Sequence, residues 1–176
     1  MNRRGMIKGL ALVGGSILFL PSCLQQEKKK ASIVLNNLSL NSNQEELLAE
    51  IAETIIPTTD SAGAKALELP QFVWTMVDDC YAKDDQEAFL KGLDQVNDMS
   101  DQKFGRSFIQ CTMEQRHEIL SDLEDNKGKS EAQLFYTIAK GELIKGYLNS
   151  KLVMTQFRKY ELVPGRYDGY FPVEKA

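Results

Sequence analysis

Two prolines, Pro57 and Pro70, punctuate the stretch that most constrains this fold, the segment SNQEELLAEIAETIIPTTDSAGAKALELPQFVWTMVDDCY from Ser42 to Tyr81. Leu47, Leu48, Ile51, Ala52, Ile55 and Ile56 recur at three- and four-residue spacing, while Glu45, Glu46, Glu50 and Glu53 fall on the other side. That is the pattern of an amphipathic helix with one core-facing stripe. Ser42 or Asn43 is expected to cap it, with Glu45 or Glu46 three residues on as the reciprocal partner. Pro57 disfavours helical geometry at Ile56 and stops the helix. Turn formers fill Thr58 to Gly63. Pro70 then suits a first helical position, where the missing N–H has no intrahelical partner to lose. The helix it opens is expected to turn Phe72, Val73, Met76, Val77 and Cys80 inward. The outcome is a helical hairpin with a long, specific connection.

Helical patterning continues to the far end of the chain. Asp84 with Glu87 resembles a capping box ahead of Ala88, Phe89, Leu93 and Val96. Phe104, Phe108 and Ile109 form an apolar patch around Gly105. Thr112 with Gln115 is expected to cap a fourth helix carrying Met113, Ile119, Leu120 and Leu123, which Asn126-Lys127-Gly128 ends. Ser130 with Gln133 caps a fifth, where Leu134, Phe135, Ile138, Ala139, Leu143, Ile144, Tyr147 and Leu148 cover more than one face. A helix apolar over so much of its circumference is central. Gly141 and Gly146 inside it each lower helix stability by about 1 kcal/mol relative to alanine, so close helix approach is expected to compensate. A shorter helix is expected from Ser150 to Phe157. No segment alternates with period two and no repeat is visible. The fold class is therefore all-α, a single-domain bundle of about five helices with an irregular aromatic C-terminal tail.

The N-terminus reads as an address. Arg3 and Arg4, followed by Gly5-Met6-Ile7-Lys8, follow the twin-arginine export pattern. The apolar run from Gly9 to Leu20 is too short to span a bilayer and has the length of a signal-peptide core. Leu20-Pro21-Ser22-Cys23 resembles a lipobox, in which Cys23 is acylated and becomes the new N-terminus. More than one acyl chain there would give stable anchoring. The expected organisation is a signal peptide over 1–22, a tether over 23–43 with a flexible reach of roughly 25 Å, and a helical domain over 44–176. Within the tether, Ile33 to Leu40 is apolar enough to lie along the domain. The sequence carries a net charge of −4, and a chain beginning at Cys23 keeps 18 basic and 25 acidic residues. Such a balance disfavours nucleic acid as a partner.

Residues able to carry chemistry are scarce. The sequence has no glycine-rich dinucleotide or phosphate loop, no Cys-x-x-Cys-His for covalent haem and no Cys-x-x-Cys for zinc. His117, the single histidine, falls between Met113 and Leu120 without a partner base in its pattern, and reads as a core-edge or solvent-facing residue. Glu142 lies within the apolar fifth helix and reads as a paired structural carboxylate, or alternatively as a buried acid. Asp78, Asp79, Asp84 and Asp85 lack the glycine and terminal acid of a calcium loop and read as caps and solvated charge. Cys80 and Cys111 read as two buried thiols that an oxidising compartment would join only if they meet.

The C-terminal run Tyr160-Glu161-Leu162-Val163-Pro164-Gly165-Arg166-Tyr167-Asp168-Gly169-Tyr170-Phe171-Pro172 wraps two turn signals in aromatics. Its Val-Pro-Gly-Arg-Tyr-Asp-Gly core resembles the ending of gluconate 2-dehydrogenase subunit 3 proteins. The likeness extends to Lys140-Gly141-Glu142-Leu143, to Gly146-Tyr147 and to Ile55-Ile56-Pro57-Thr58-Thr59-Asp60-Ser61-Ala62-Gly63-Ala64, covering roughly residues 44 to 172. Where family members often carry a Ser-Glu pair and glycine after Gly-Tyr, this chain has Ser150-Lys151-Leu152-Val153.

The resemblance implies a noncatalytic small subunit with no cofactor or metal of its own. Its implied partners are a large FAD-dependent flavoprotein of the glucose-methanol-choline type, which oxidises a sugar or sugar acid, and a cytochrome c subunit carrying haem c. It implies that the small subunit assists maturation and export of the flavoprotein. With the N-terminal address, this gives a lipid-anchored, periplasm-facing chain. Arg166, Tyr167, Tyr170 and Phe171 are the candidate partner interface, since large aromatics and arginine dominate interface energetics. The same aromatics could instead cover the domain's own core. Two other functional classes remain open at this point: a free-standing enzyme using Glu142 or His117, and a lipid-anchored helical binding module unrelated to a dehydrogenase.

Overall fold

The computed structural model describes residues 31–125 and 130–158, with 160, 161, 163, 165, 169 and 170 of the tail. Helix α1 (Ser42–Ile55) begins at Ser42 itself, so its cap lies ahead of the expected one. Asn41, not Ser42 or Asn43, is the N-cap, because its side chain accepts the Gln44 N–H at 2.9 Å while Gln44 reaches back to the Asn41 N–H at 3.3 Å. The acids Glu45 and Glu46 are thereby released from capping, and Glu45 instead binds the backbone N–H and hydroxyl of Ser32. The helix ends at Ile55, with Ile56 as its C-cap ahead of Pro57, as its sequence requires.

The connection that follows is held by side chains of the helix it leaves. Glu53 accepts the N–H groups of Thr58 at 2.8 Å and Lys65 at 3.0 Å. Thr58 in turn accepts the Gly63 N–H at 3.2 Å. A Cβ on Gly63 would stand 2.4 Å from the Thr58 nitrogen, so only glycine permits this closure. Glu68, in the left-handed region at φ 54°, then turns the chain into α2 (Leu69–Cys80), with Pro70 in its first turn.

The inward face of α2 differs from expectation. Leu69, Val73, Trp74, Val77 and Asp78 are buried, whereas Phe72 and Cys80 are exposed and Met76 is half-buried. Residues 73, 74, 77 and 78 form one helical stripe, and the largest side chain, Trp74, sets its centre. Helix α3 (Lys83–Phe104) lacks the expected Asp84–Glu87 box. Its N-cap is Ala82, without a side-chain bond, and Asp84 and Asp85 sit in the first turn, where the helix dipole favours carboxylates. The helix also absorbs Phe104 and stops at Gly105, which is left-handed at φ 65°.

A one-turn 3-10 segment (Phe108–Gln110) leads to α4 (Met113–Asp125) and then α5 (Glu131–Leu148). The local signals at both starts form as expected. Thr112 and Gln115 bond reciprocally, and Ser130 accepts the Gln133 N–H at 3.2 Å. The expected stop at Asn126-Lys127-Gly128 lies outside the described residues. A π-helical turn (Val153–Phe157) occupies the place of the expected short last helix.

Helix α5 is central, packing along α3 and α2. Phe89 of α3 joins the three helices, with its ring 5.5 Å from Trp74 of α2 and 4.8 Å from Phe135 of α5. Gly92 lets α3 meet the start of α5, since a Cβ there would lie 2.2 Å from the Glu131 carbonyl oxygen. Gly146 likewise admits Phe72, at 2.8 Å from a would-be Cβ, but Gly141 has nothing within 4 Å. The expected compensation by helix approach therefore holds at Gly146 and fails at Gly141. No sheet forms among the described residues, and the architecture is the all-α, single-domain bundle.

Candidate functional site

Burial of charge singles out three polar assemblies, each of which ties distant segments together. The first centres on Asp78, 2% exposed at the end of α2. Its carboxylate accepts the N–H groups of Asn36 at 2.7 Å, Asn37 at 2.9 Å and Leu38 at 2.8 Å. The carbonyls that α2 leaves without helical partners are also met, since Gln86 donates to those of Val77, Asp78 and Tyr81 at 3.1, 2.8 and 3.1 Å. Asp78 is therefore a buried anchor for an extended segment whose Ile33, Leu35, Leu38 and Leu40 pack against the core. The reading of Asp78 as solvated charge is corrected: three backbone donors replace water around it. Asp79, Asp84 and Asp85 are exposed.

The second assembly surrounds Glu50 of α1. Arg116 of α4 reaches it at 2.6 Å and Lys65 at 2.5 Å. Arg116 also donates to the carbonyls of Phe108 at 3.1 Å and Ile109 at 2.6 Å. Burial pushes the Glu50 carboxyl up, but the hydrogen bonds and charges of Lys65 and Arg116 outweigh it and hold it below its ordinary value.

The third contains Glu142, enclosed at 2% exposure on α5. Its Oε1 accepts the Tyr81 hydroxyl at 2.8 Å and the Lys145 ammonium at 2.7 Å. Its Oε2 is buried without a hydrogen-bond partner among the described residues, as is Trp74 Nε1. Burial first, and the neighbouring Glu142 second, push the Tyr81 phenol up to about 12. A phenol so weakly acidic serves here as a hydrogen-bond donor, and it satisfies the charge together with Lys145. Glu142 is thus paired as a structural carboxylate, with Tyr81 as a partner that the sequence, at a separation of 61 residues, does not disclose.

The remaining candidates do not converge. His117 is exposed on α4. Cys80 is an exposed thiol, correcting the expectation of burial, because the face of α2 is centred on Trp74. Cys111 is buried, and burial raises its thiol against the opposing charges of Arg106 and Arg116. Both cysteines are free. Among the described residues no group of three or more His, Cys, Asp or Glu side chains is placed to hold a metal ion. An open groove of about 530 Å³ is lined by Met99, Asp122, Leu123, Asp125 and Ser130. No helix among the described residues is long and apolar enough to cross a membrane. Arg3, Arg4, Cys23, Arg166, Tyr167 and Phe171 lie outside the described residues, while Tyr170 is 97% exposed.

The fold and these ties define a small helical domain in which buried charge cross-links helices and loops. The family model for gluconate 2-dehydrogenase subunit 3 matches residues 42–165, and the chain belongs to that family. The matched span runs from the first residue of α1 through the π-helical turn into the tail. No curated protein and no solved structure matches the chain.

Proposed function

We propose that this chain is the noncatalytic small subunit of an exported, FAD-dependent sugar or sugar-acid dehydrogenase, assisting maturation of the flavoprotein subunit and carrying it through the twin-arginine route. The observation that carries this reading is the family match across residues 42–165. The address adds to it. Twin-arginine export moves folded proteins, and Arg3 and Arg4 stand on a chain whose sequence has no nucleotide, haem or zinc motif. A flavoprotein that loads FAD before export, and lacks a signal of its own, accounts for the route. Acylated Cys23 then holds the complex at the membrane, facing the periplasm, where a cytochrome c subunit with haem c takes the electrons. The tail, through Arg166, Tyr167, Tyr170 and Phe171, is a docking strap for the flavoprotein.

Replacing Arg3 and Arg4 by lysine tests the reading. The flavoprotein is expected to accumulate in the cytoplasm together with this chain, and its normal export in that strain would refute co-export. Native purification of the wild-type complex is expected to show flavin absorbance. Cys23→Ser is expected to change the processed mass and release the chain from membranes; identical mass and fractionation would exclude lipidation. Alanine at Arg166, Tyr167 and Tyr170 is expected to leave melting unchanged and lose the flavoprotein. A lowered melting temperature would make the tail part of the domain's own packing.

A further inference from the structure

The C-terminal end of α5 and the π-helical turn after it differ in charge from the helical bundle that precedes them. From Leu143 to Tyr160 the sequence contains Lys145, Lys151, Arg158 and Lys159 and neither aspartate nor glutamate, although the chain's net charge is −4. Lys145 is matched by Glu142 at 2.7 Å. Lys151 and Arg158 are exposed, and neither has an ion-pair partner among the described residues.

Large apolar side chains gather in this same stretch. Phe157 is 63% exposed and Tyr160 54%, and Ile144 and Leu148 also face solvent from the last turns of α5. The domain does not use these side chains for its own core, which here takes Leu143 and Val153 instead. The backbone between them is ordered rather than loose. Met154 N–H bonds to Ser150, Arg158 N–H to Val153, and Thr155 Oγ1 donates to Lys151 at 2.7 Å. Aromatic anchors, arginine and basic charge without an ion-pair partner among the described residues, on a hydrogen-bonded support and interleaved with exposed Thr155 and Gln156, have the composition of a protein interface with a polar rim. An interfacial membrane helix lays a continuous apolar face beneath a basic one, whereas here a five-residue π-helical turn carries exposed Thr155 and Gln156 beside Phe157.

We infer that Ile144, Leu148, Lys151, Phe157, Arg158 and Tyr160 form a docking surface for an acidic patch on the flavoprotein subunit, an inference that rests on the reading under Proposed function. The charge asymmetry sets the partner's sign: on a helical bundle that is otherwise acidic, this basic patch is where an acidic partner approaches with least repulsion. The surface leads directly into the tail, so the strap and the patch engage one partner.

The test is co-expression of the full chain with its flavoprotein, using the variants Lys151→Glu/Arg158→Glu and Phe157→Ser. These side chains are exposed, so melting temperature is expected to stay at the wild-type value. Each variant is expected to weaken flavoprotein binding about tenfold or more, as charge reversal or loss of an anchor does at a contact surface. Wild-type binding is expected to weaken with rising salt. Undiminished flavoprotein binding by both folded variants overturns the inference and leaves the reading of the subunit intact. A wild-type preparation without flavoprotein overturns that reading and the inference with it. Binding of wild type to vesicles containing anionic lipid, lost on charge reversal while the flavoprotein stays bound, assigns the patch to lipid and also overturns the inference.

Discussion

The carboxylate of Asp78 accepts the backbone N–H of Leu38 at 2.8 Å across 40 residues of sequence. With Asn36 and Asn37 sharing the same carboxylate, the segment ahead of α1 is fastened to the end of α2. Hydrogen bonds to a charged acceptor are about twice as strong as neutral ones, and their loss leaves three backbone donors to find water. Asp78→Ala is expected to lower unfolding free energy by about 3 kcal/mol and to expose residues 31–40 to limited proteolysis. Denaturant unfolding and a protease time course check both. Wild-type cleavage rates in Asp78→Ala would show that apolar packing alone holds the segment.

The two glycines Gly92 and Gly141 are both interior to helices and are expected to respond to alanine in opposite directions. At Gly92 the added Cβ meets the Glu131 carbonyl oxygen at 2.2 Å, backbone against backbone, so α3 and α5 must separate. A loss of about 3 kcal/mol follows, the upper range for overpacking. At Gly141 nothing lies within 4 Å, and the gain in helix propensity is expected to add about 0.5–1 kcal/mol. Denaturant midpoints of the two variants check the pair, and the same sign for both would refute the packing argument.

These cases mark what the sequence can disclose. Thr112 with Gln115 and Ser130 with Gln133 were legible because a capping signal is complete within four residues. Pro57 and Gly105 act as locally. The Asp78 clamp, the Tyr81–Glu142 bond and the Gly92 contact each need a partner fixed only when the chain has folded. Nothing near Asp78 in sequence separates it from its exposed neighbour Asp79. The inward face of α2 departs from its sequence pattern for a related reason: Phe72, Met76 and Cys80 satisfy helical spacing, but packing against Phe89 selects Trp74. Of the candidate site, the family motif at Ile55 to Ala64 is seen as a closed loop, with Glu53, Thr58 and Gly63 bonded together. Arg3, Arg4 and Cys23 lie outside the described residues, and their reading as export and lipidation signals rests on sequence pattern alone.

Arg116 joins α4 to Glu50 of α1 and to two carbonyls of the 3-10 turn, using separate nitrogens of one guanidinium. Lysine offers a single ammonium and cannot span the three acceptors. Arg116→Lys is expected to destabilise the domain by about 2 kcal/mol, the scale of charge-assisted bonds left unmade. Because the Glu50 carboxyl is held below its ordinary value, its stabilisation is present above the unfolded value and is lost as pH falls through the folded one. The variant's deficit against wild type is therefore expected to shrink in acid. A deficit independent of pH would mean that Arg116 acts through packing alone.

Tyr81 provides the alkaline counterpart. Its phenol is pushed up to about 12 by burial and by Glu142, from an ordinary value of 10.0. Below the unfolded value the phenol is neutral in both states and its contribution is complete. Between that value and the folded one, the unfolded chain has released the proton while the folded chain keeps it, so stability falls as pH rises. Tyr81→Phe removes one hydrogen bond to a buried carboxylate and is expected to lower stability at neutral pH by about 1–2 kcal/mol. Above about pH 10 its deficit is expected to shrink, because wild type alone then loses the Tyr81 contribution. The quantity to measure is the difference between wild type and variant in urea midpoints across alkaline pH, which isolates the Tyr81 contribution. Ultraviolet titration of the folded proteins adds a second readout: the variant is expected to lack the latest phenolate transition. A constant difference in midpoint, or the late transition persisting in Tyr81→Phe, would assign the alkaline response to another residue and reduce the Tyr81–Glu142 contact to ordinary packing.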